Sequence, residues 1–183
     1  MVAVETEIPG LEDPQRRVLF ATCSGIRVMN VYVPNGQEVG SEKFEYKLKW
    51  LDRLTRYLKA QVGRYDKIVL MGDFNITPDD RDVHDPEAWR EQILCSTPER
   101  EALKRLLDCG LDDSFRLFDQ PEKVFSWWDY RAAGFRRNAG LRLDLILTAK
   151  ALSANCTASF IDTAPRILER PSDHAPAVAE FHL

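Results

Sequence analysis

Four consecutive apolar residues, Ile68, Val69, Leu70 and Met71, run into Gly72, and two polar residues follow at a spacing of two, Asp73 and Asn75. The run is too short for a helix and, bounded by glycine, predicts a fully buried strand. At the end of a strand, the two-residue period sends Asp73 and Asn75 to one side while Phe74 turns back to the core. Upstream, two β-rich runs at 18–22 and 26–33 flank Ser24-Gly25 and predict a hairpin; Pro34-Asn35-Gly36 stops its second strand just after Tyr32. Phe44, Leu48, Leu51, Leu54, Leu58 and Val62 recur at steps of three and four. That spacing predicts a helix capped by Ser41 and stopped by Gly63, with its lysines and arginines on a solvated face.

Beyond the central strand, Asp85-Pro86 predicts a helix with Trp89 and Ile93 on its apolar side. Thr97-Pro98 predicts another, with Leu103, Leu106 and Leu107 inside and Gly110 past its end. Further strands are expected within 125–131, over 141–147, over 157–162 and over 177–181. A long helix followed by a buried strand points to an α/β layer arrangement. Residues 1–14 carry turn signals at Pro9-Gly10 and Pro14 and no sustained period, so they read as an irregular lead-in to a domain spanning 15–183.

Composition narrows the class. With 183 residues, 44% hydrophobic and 30% charged, the chain suits one globular domain with a sizeable core. A net charge of −4 announces no general basic field, so any polyanion must meet a local basic patch. Cys23, Cys95, Cys109 and Cys156 lie far apart without a Cys-x-x-Cys pair, which favours a reduced, cytoplasmic chain over a disulfide or zinc framework. No apolar stretch approaches the roughly 18 residues of a membrane span, and the N-terminus lacks a signal-peptide core. A monomer with no membrane partner is expected.

Several residues carry candidate chemistry, each beside a plainer reading. Asp73 and Asn75, at the carboxyl edge of a buried strand, can hold a water and a phosphate oxygen; Asp and Asn also form turns wherever strands end. Tyr32 reads as a site residue or as a half-buried strand tyrosine. Arg131, Arg136, Arg137 and Arg142 fall on a stretch without acids, next to Phe125-Ser126-Trp127-Trp128-Asp129-Tyr130. Aromatics beside unpaired arginines suit stacking on bases or sugars and neutralising phosphates, and a basic loop without a partner is the alternative. Asp144 inside an apolar run is costly to bury alone. His174, in the rigid Pro171-Ser172-Asp173-His174-Ala175-Pro176 loop, is its expected partner, because a carboxylate fixes an imidazole's tautomer and raises its basicity. The acids between Asp79 and Glu87 read as caps and solvated turns rather than a metal site.

Five segments, taken together and in order, resemble the exonuclease III family: Val31-Tyr32-Val33-Pro34-Asn35-Gly36, Gly72-Asp73-Phe74-Asn75, Ser126-Trp127-Trp128-Asp129-Tyr130-Arg131, Gly140-Leu141-Arg142-Leu143-Asp144 and Ser172-Asp173-His174-Ala175-Pro176. The resemblance implies a four-layer α/β sandwich, two packed mixed sheets with helices outside. It also implies a DNA-repair nuclease acting as AP endonuclease and 3′-to-5′ exonuclease on duplex DNA, at abasic sites and 3′ ends. By the same resemblance Asp73 orients and deprotonates the attacking water, Asn75 helps hold that water and the phosphate, and Tyr32 bonds the scissile phosphate. His174, oriented by Asp144, stabilises charge on phosphate oxygens, while Asp173 contributes to a metal site for Mg²⁺, with Mn²⁺ as substitute. Trp127 and Leu143 wall the pocket for a flipped abasic sugar, and Leu141, Arg131, Arg136, Arg137 and Arg142 join the DNA-binding surface.

In that family the first strands and the principal metal-binding glutamate precede the segment matching Gln15, and Glu5, Glu7 and Glu12 sit in no matching motif. The expectation is therefore a C-terminal portion of such an enzyme, its sandwich incomplete on the N-terminal side and its metal affinity reduced. Two other functions remain open on the sequence. One is a phosphoesterase acting on inositol phosphates or a sphingolipid, against which Trp127-Trp128 and the arginines argue. The other is a catalytically weak DNA-binding fragment.

Overall fold

The computed structural model describes residues 1–183. Its strands are β1 (Val2–Glu5), β2 (Val18–Cys23), β3 (Ile26–Tyr32), β4 (Ile68–Asp73), β5 (Leu111–Asp113), β6 (Trp127–Trp128), β7 (Gly140–Leu141), β8 (Asp144–Ala149), β9 (Cys156–Ile161) and β10 (Ala177–Phe181). Three α-helices, α1 (Glu42–Val62), α2 (Thr97–Leu107) and α3 (Lys150–Ser153), lie between them. Six strands form one mixed sheet in the order β1-β2-β3-β4-β8-β5, and β9 pairs with β10, as β6 does with β7. Within the large sheet only β3 and β4 run parallel, and α1 makes the crossover that a parallel pair requires.

The periodic helix forms where its caps demand. The Ser41 side chain accepts from the Phe44 N–H, and Gly63 is the C-cap. Its buried stripe, with Trp50, Leu51, Leu54 and Leu58, packs with Leu103 and Leu106 of α2 against Met29, Val31, Leu70, Leu145 and Leu147 of the sheet. The β9–β10 pair meets β8 and the 114–117 turn, and the Ser114 and Ser159 hydroxyls hydrogen-bond there at 3.0 Å. Sheet, helical layer and second small sheet make the expected α/β sandwich. No helix is long and apolar enough to cross a membrane.

Four local expectations change. The lead-in is not wholly irregular: β1 pairs antiparallel with β2, while Arg27, fully buried, bonds the Ala3 carbonyl at 2.6 Å and ion-pairs Glu5. Gly72 does not end the strand but lies inside it at φ +137°, where an added Cβ would come 1.9 Å from the Val31 carbonyl oxygen. Only glycine allows β3 and β4 to approach so closely there. No helix forms after Asp85-Pro86, because Glu91 and Leu94 take positive φ and the Leu94 carbonyl turns to accept from Thr77 N–H at 2.7 Å. The run 141–147 is broken between β7 and β8, where the Ser126 hydroxyl accepts from the Leu143 and Asp144 N–H groups at 2.9 and 3.0 Å.

Candidate active site

The sheet register brings three sequence-distant side chains into a row. Tyr32 of β3 stands opposite Asp73 of β4, and Asp73 stands opposite Asp144 of β8. Directly paired residues project to the same face, so the tyrosine and both carboxyls share one edge of the sheet. Tyr32 is 53% exposed and its ring lies 5.0 Å under the Arg17 guanidinium.

Asp73 is held from the next turn. Its Oδ1 accepts from the Asn75 N–H at 2.8 Å and its Oδ2 from Asn75 Nδ2 at 3.1 Å. The turn places Asn75 at φ +50°, a conformation asparagine tolerates better than most residues. Burial, and then the charge of Asp144, push the Asp73 carboxyl up to about 6, against the pull of Asn75 N–H, His174 and Lys47. That range suits a general base working near neutral pH.

Asn75 itself is only 5% exposed, and both of its amide hydrogens are committed: Nδ2 also donates to the Val33 carbonyl at 3.0 Å, while Oδ1 accepts from Asn35 Nδ2 at 3.2 Å. It therefore fixes Asp73 rather than reaching for phosphate. Asn35, exposed beside it and missed in the sequence except as a strand stop, keeps a second amide hydrogen for a ligand. A polar residue three positions after a strand-end tyrosine was the available signal.

His174 meets Asp144 as expected, Nδ1 to Oδ2 at 2.8 Å, which leaves Nε2 to face a ligand. Burial pulls the imidazole down, but the hydrogen bond and charge of Asp144, with Asp73 and Asp173, win and raise it above its ordinary 6.5. The loop bearing it is stitched to the aromatic segment. Trp127 bridges His174, Trp128 N–H donates to the Asp173 carbonyl at 3.1 Å, and Ala175 N–H to that of Ser126 at 2.7 Å. Trp127 Nε1 donates to Asp173 Oδ2 at 3.0 Å, and the half-buried indole stands beside the row.

The arginines divide. Arg136 and Arg137 are exposed, and Arg131 is exposed and tied to Asp129 at 2.6 Å. Arg142 is a correction: it is fully buried, with Nε 2.6 Å from Asp82 and Nη2 2.7 Å from Asp113, so it binds protein carboxylates instead of DNA. The burial that pulls its guanidinium down is overcome by Asp113 and Asp82, which raise it. Leu141 and Leu143 are likewise buried, in a cluster with Val83, Leu94 and Cys95, and support Trp127 from beneath rather than presenting a surface. Asp79 and Asp85 cap as expected, accepting from Arg81 N–H at 2.8 Å and from Ala88 N–H at 3.1 Å, but Asp82 is no solvated turn residue: it is buried and paired with Arg142 and Arg116.

Asp173 and Asp144 carry hard oxygen donors, the type that a hard divalent cation takes. Yet no group of three or more His, Cys, Asp or Glu side chains in this chain is placed to hold a metal ion. The donor type fits and the donor number does not.

A row of tyrosine, two carboxyls and a carboxylate-held histidine at a sheet edge is the equipment of a phosphoester hydrolase. The sequence profile of the Endonuclease/Exonuclease/phosphatase family matches residues 3–174, and the chain belongs to that family. The exodeoxyribonuclease III of Haemophilus influenzae is 40% identical over 182 residues, covering 93% of this chain and 68% of its own length. A Neisseria 3′ phosphatase, NExo, solved with a product DNA hairpin, superposes with a TM-score of 0.96 at 48% identity, covering 98% of this chain and 70% of that one. An AP endonuclease from Archaeoglobus fulgidus superposes at 0.92 with 36% identity, again covering 98% and 70%. The chain thus spans about two thirds of the length of these relatives. Within the family it falls among the DNA-repair nucleases, hydrolases of the exonuclease III type that depend on a divalent metal.

Proposed function

We propose that this chain carries the water-activating and phosphate-binding groups of a DNA-repair nuclease that hydrolyses phosphoester bonds at abasic sites and 3′ ends of duplex DNA. The observation that carries the reading is the row Tyr32–Asp73–Asp144 across three neighbouring strands, completed by His174 on Asp144. Asp73, held at a pKa of about 6, takes a proton from water as the oxygen attacks phosphorus. His174, favoured in its charged form and donating Nδ1–H to Asp144, offers Nε2–H to a phosphate oxygen gaining charge. The exposed Tyr32 hydroxyl and the Asn35 amide donate to the same phosphate. Trp127 flanks the displaced sugar, and Arg131, Arg136 and Arg137 meet backbone phosphates beyond it.

Mg²⁺, with Mn²⁺ as substitute, is the proposed cation. When bound it would supply Lewis-acid charge neutralisation, and the Asp173 carboxylate would be this chain's donor to it. The proposed setting is the cytoplasm, a reducing compartment that four free cysteines suit, and the proposed state is a monomer. A second reading stays within the same site: the Neisseria relative is a 3′ phosphatase, and removal of a 3′-terminal phosphate needs the same base, histidine and phosphate donors.

The test is turnover of three substrates by the chain across a Mg²⁺ titration: an abasic duplex, a 3′-phosphate duplex and an inositol polyphosphate. Because the chain offers too few donors to hold the ion tightly, cleavage of either DNA that emerges only at raised Mg²⁺, and none of the inositol compound, is expected. Preference for the inositol compound would overturn the reading, and duplex binding with no cleavage at any Mg²⁺ concentration would reduce the chain to a DNA-binding unit.

A further inference from the structure

Beneath the Asp73–Asn75 corner lies an ion pair that the mechanism above does not use. Lys47 of α1 and Glu99 of α2 are both fully buried and bonded to each other. The remaining two ammonium hydrogens are committed as well: Nζ donates to the Asn75 carbonyl at 2.7 Å and to the Asn35 carbonyl at 3.0 Å. Glu99 is occupied in turn, accepting from Leu94 N–H at 3.1 Å, Ser96 N–H at 3.1 Å and the Ser96 hydroxyl at 2.6 Å. The loop before α1 rests on the lysine stem, since a Cβ added to Gly36 would come 3.0 Å from Lys47 Cδ.

Burying an ion pair gains little stability over apolar side chains of similar volume, because desolvation offsets the attraction. What a methionine at 47 could not reproduce is the simultaneous grip on two carbonyls. Those carbonyls belong to Asn35 and Asn75, whose carboxamides bond each other at 3.2 Å and whose chain carries Asp73. One nitrogen thus ties together the loop after β3 and the turn after β4, and Glu99 anchors that nitrogen to α2.

We propose that Lys47, set by Glu99, is a positioning residue for this site: it fixes the spacing between Asn35 and the Asp73–Asn75 turn. The claim rests on the proposed function only for its effect on rate; the tie itself is a matter of geometry. A displaced attacking group loses rate steeply with distance, so Lys47→Met should lower kcat on an abasic duplex by on the order of tenfold to a hundredfold. KM should stay within about threefold, because the exposed arginines that meet backbone phosphates are untouched. Lys47→Arg, which keeps charge and donors, should recover part of the loss.

The accompanying measurement is independent of turnover. In ¹H–¹⁵N spectra of the chain, the side-chain amide signals of Asn35 and Asn75 should move in Lys47→Met while the indole signal of the core residue Trp50 stays. If wild type cleaves nothing, the functional reading fails and the amide signals alone decide the tie. If Lys47→Met does not fold, the wild-type Lys47 ammonium decides it: a slowly exchanging signal with couplings across to the Asn35 and Asn75 carbonyls is expected. Unmoved amide signals, an unchanged kcat or a freely exchanging ammonium would each overturn the proposal.

Discussion

Arg136 and Arg137 share an acid-free stretch with Arg142, yet they end in opposite environments. The first two stay in solvent, where a charge costs nothing to keep and remains available to a polyanion. Arg142 sits one residue past β7 and turns inward onto Asp82 and Asp113, which lie 60 and 29 residues away in sequence. The same contrast separates the two halves of the site. The catalytic row stands on paired strands and is fixed from behind, Asp73 by Asn75 and His174 by Asp144. The aromatic-basic loop is fastened at its base, where Tyr130 Oη donates to the Pro171 carbonyl at 2.7 Å and the Arg166 guanidinium lies 4.9 Å from the Phe135 ring. Of its outward arginines, Arg131 is tied to Asp129, while Arg136 and Arg137 stand free in solvent. Rigidity serves bond breaking, where fractions of an ångström matter, and looseness serves phosphate contact, where they do not.

The sharpest way to break this comparison is to truncate the buried arginine. Arg142→Ala leaves Asp113 without its cation and Asp82 with Arg116 alone, and loss of one partner of a buried pair costs about 3–5 kcal/mol. Urea unfolding should show that loss. A variant as stable as wild type would mean that Arg142 is no more structural than its neighbours.

Next in size is His174→Ala. Removing one donor aimed at developing charge lowers turnover by about a hundredfold to a thousandfold. Binding of the same duplex, followed by fluorescence anisotropy, should change little, because the phosphate contacts of the loop remain. An equal loss in affinity would place His174 with the loop rather than with the row.

The smallest effect belongs to the loop. Replacing both Arg136 and Arg137 by alanine should leave unfolding free energy within about 0.5 kcal/mol, as for surface changes away from special features. Each lost phosphate contact should reduce the slope of log affinity against log salt by roughly 0.9. An unchanged slope returns the loop to solvent.

How much of this was legible follows the same division. Local signals carried far: Ser41 and Gly63 bounded α1, Thr97-Pro98 opened α2 one residue after its Ser96 cap, and the two hairpin strands fell where their β-branched runs lay. The aspartate inside an apolar run demanded a partner and found it in His174. Failures came where a residue's fate depended on a distant one. Lys47 looked like part of a solvated face because Glu99, 52 residues on, is what makes its burial tolerable. Asn35 looked like a turn residue because only the parallel β3–β4 pairing brings it to Asn75. The helix expected after Asp85-Pro86 had two apolar side chains to bury and lost to a chain path that sends Leu94 inward at φ +74°.

The central claim is that Asp73, its carboxyl held near 6 on the strand edge, activates the water. The most direct measurement is the pH–rate profile for abasic-duplex cleavage at saturating Mg²⁺, wild type against Asp73→Asn. A base works only when deprotonated, so the wild-type rate should climb as pH rises through about 6 and fall again where His174 loses its proton, above its ordinary 6.5. Removing the base should cost on the order of a hundredfold or more and abolish the acid limb. Stability has the opposite sign: the folded chain binds the Asp73 proton more tightly than the unfolded chain does, so ionising it between pH 3.8 and about 6 costs stability. The variant should accordingly unfold no sooner than wild type at pH 7.5. An acid limb retained unchanged in Asp73→Asn, or turnover close to wild type, would contradict the account.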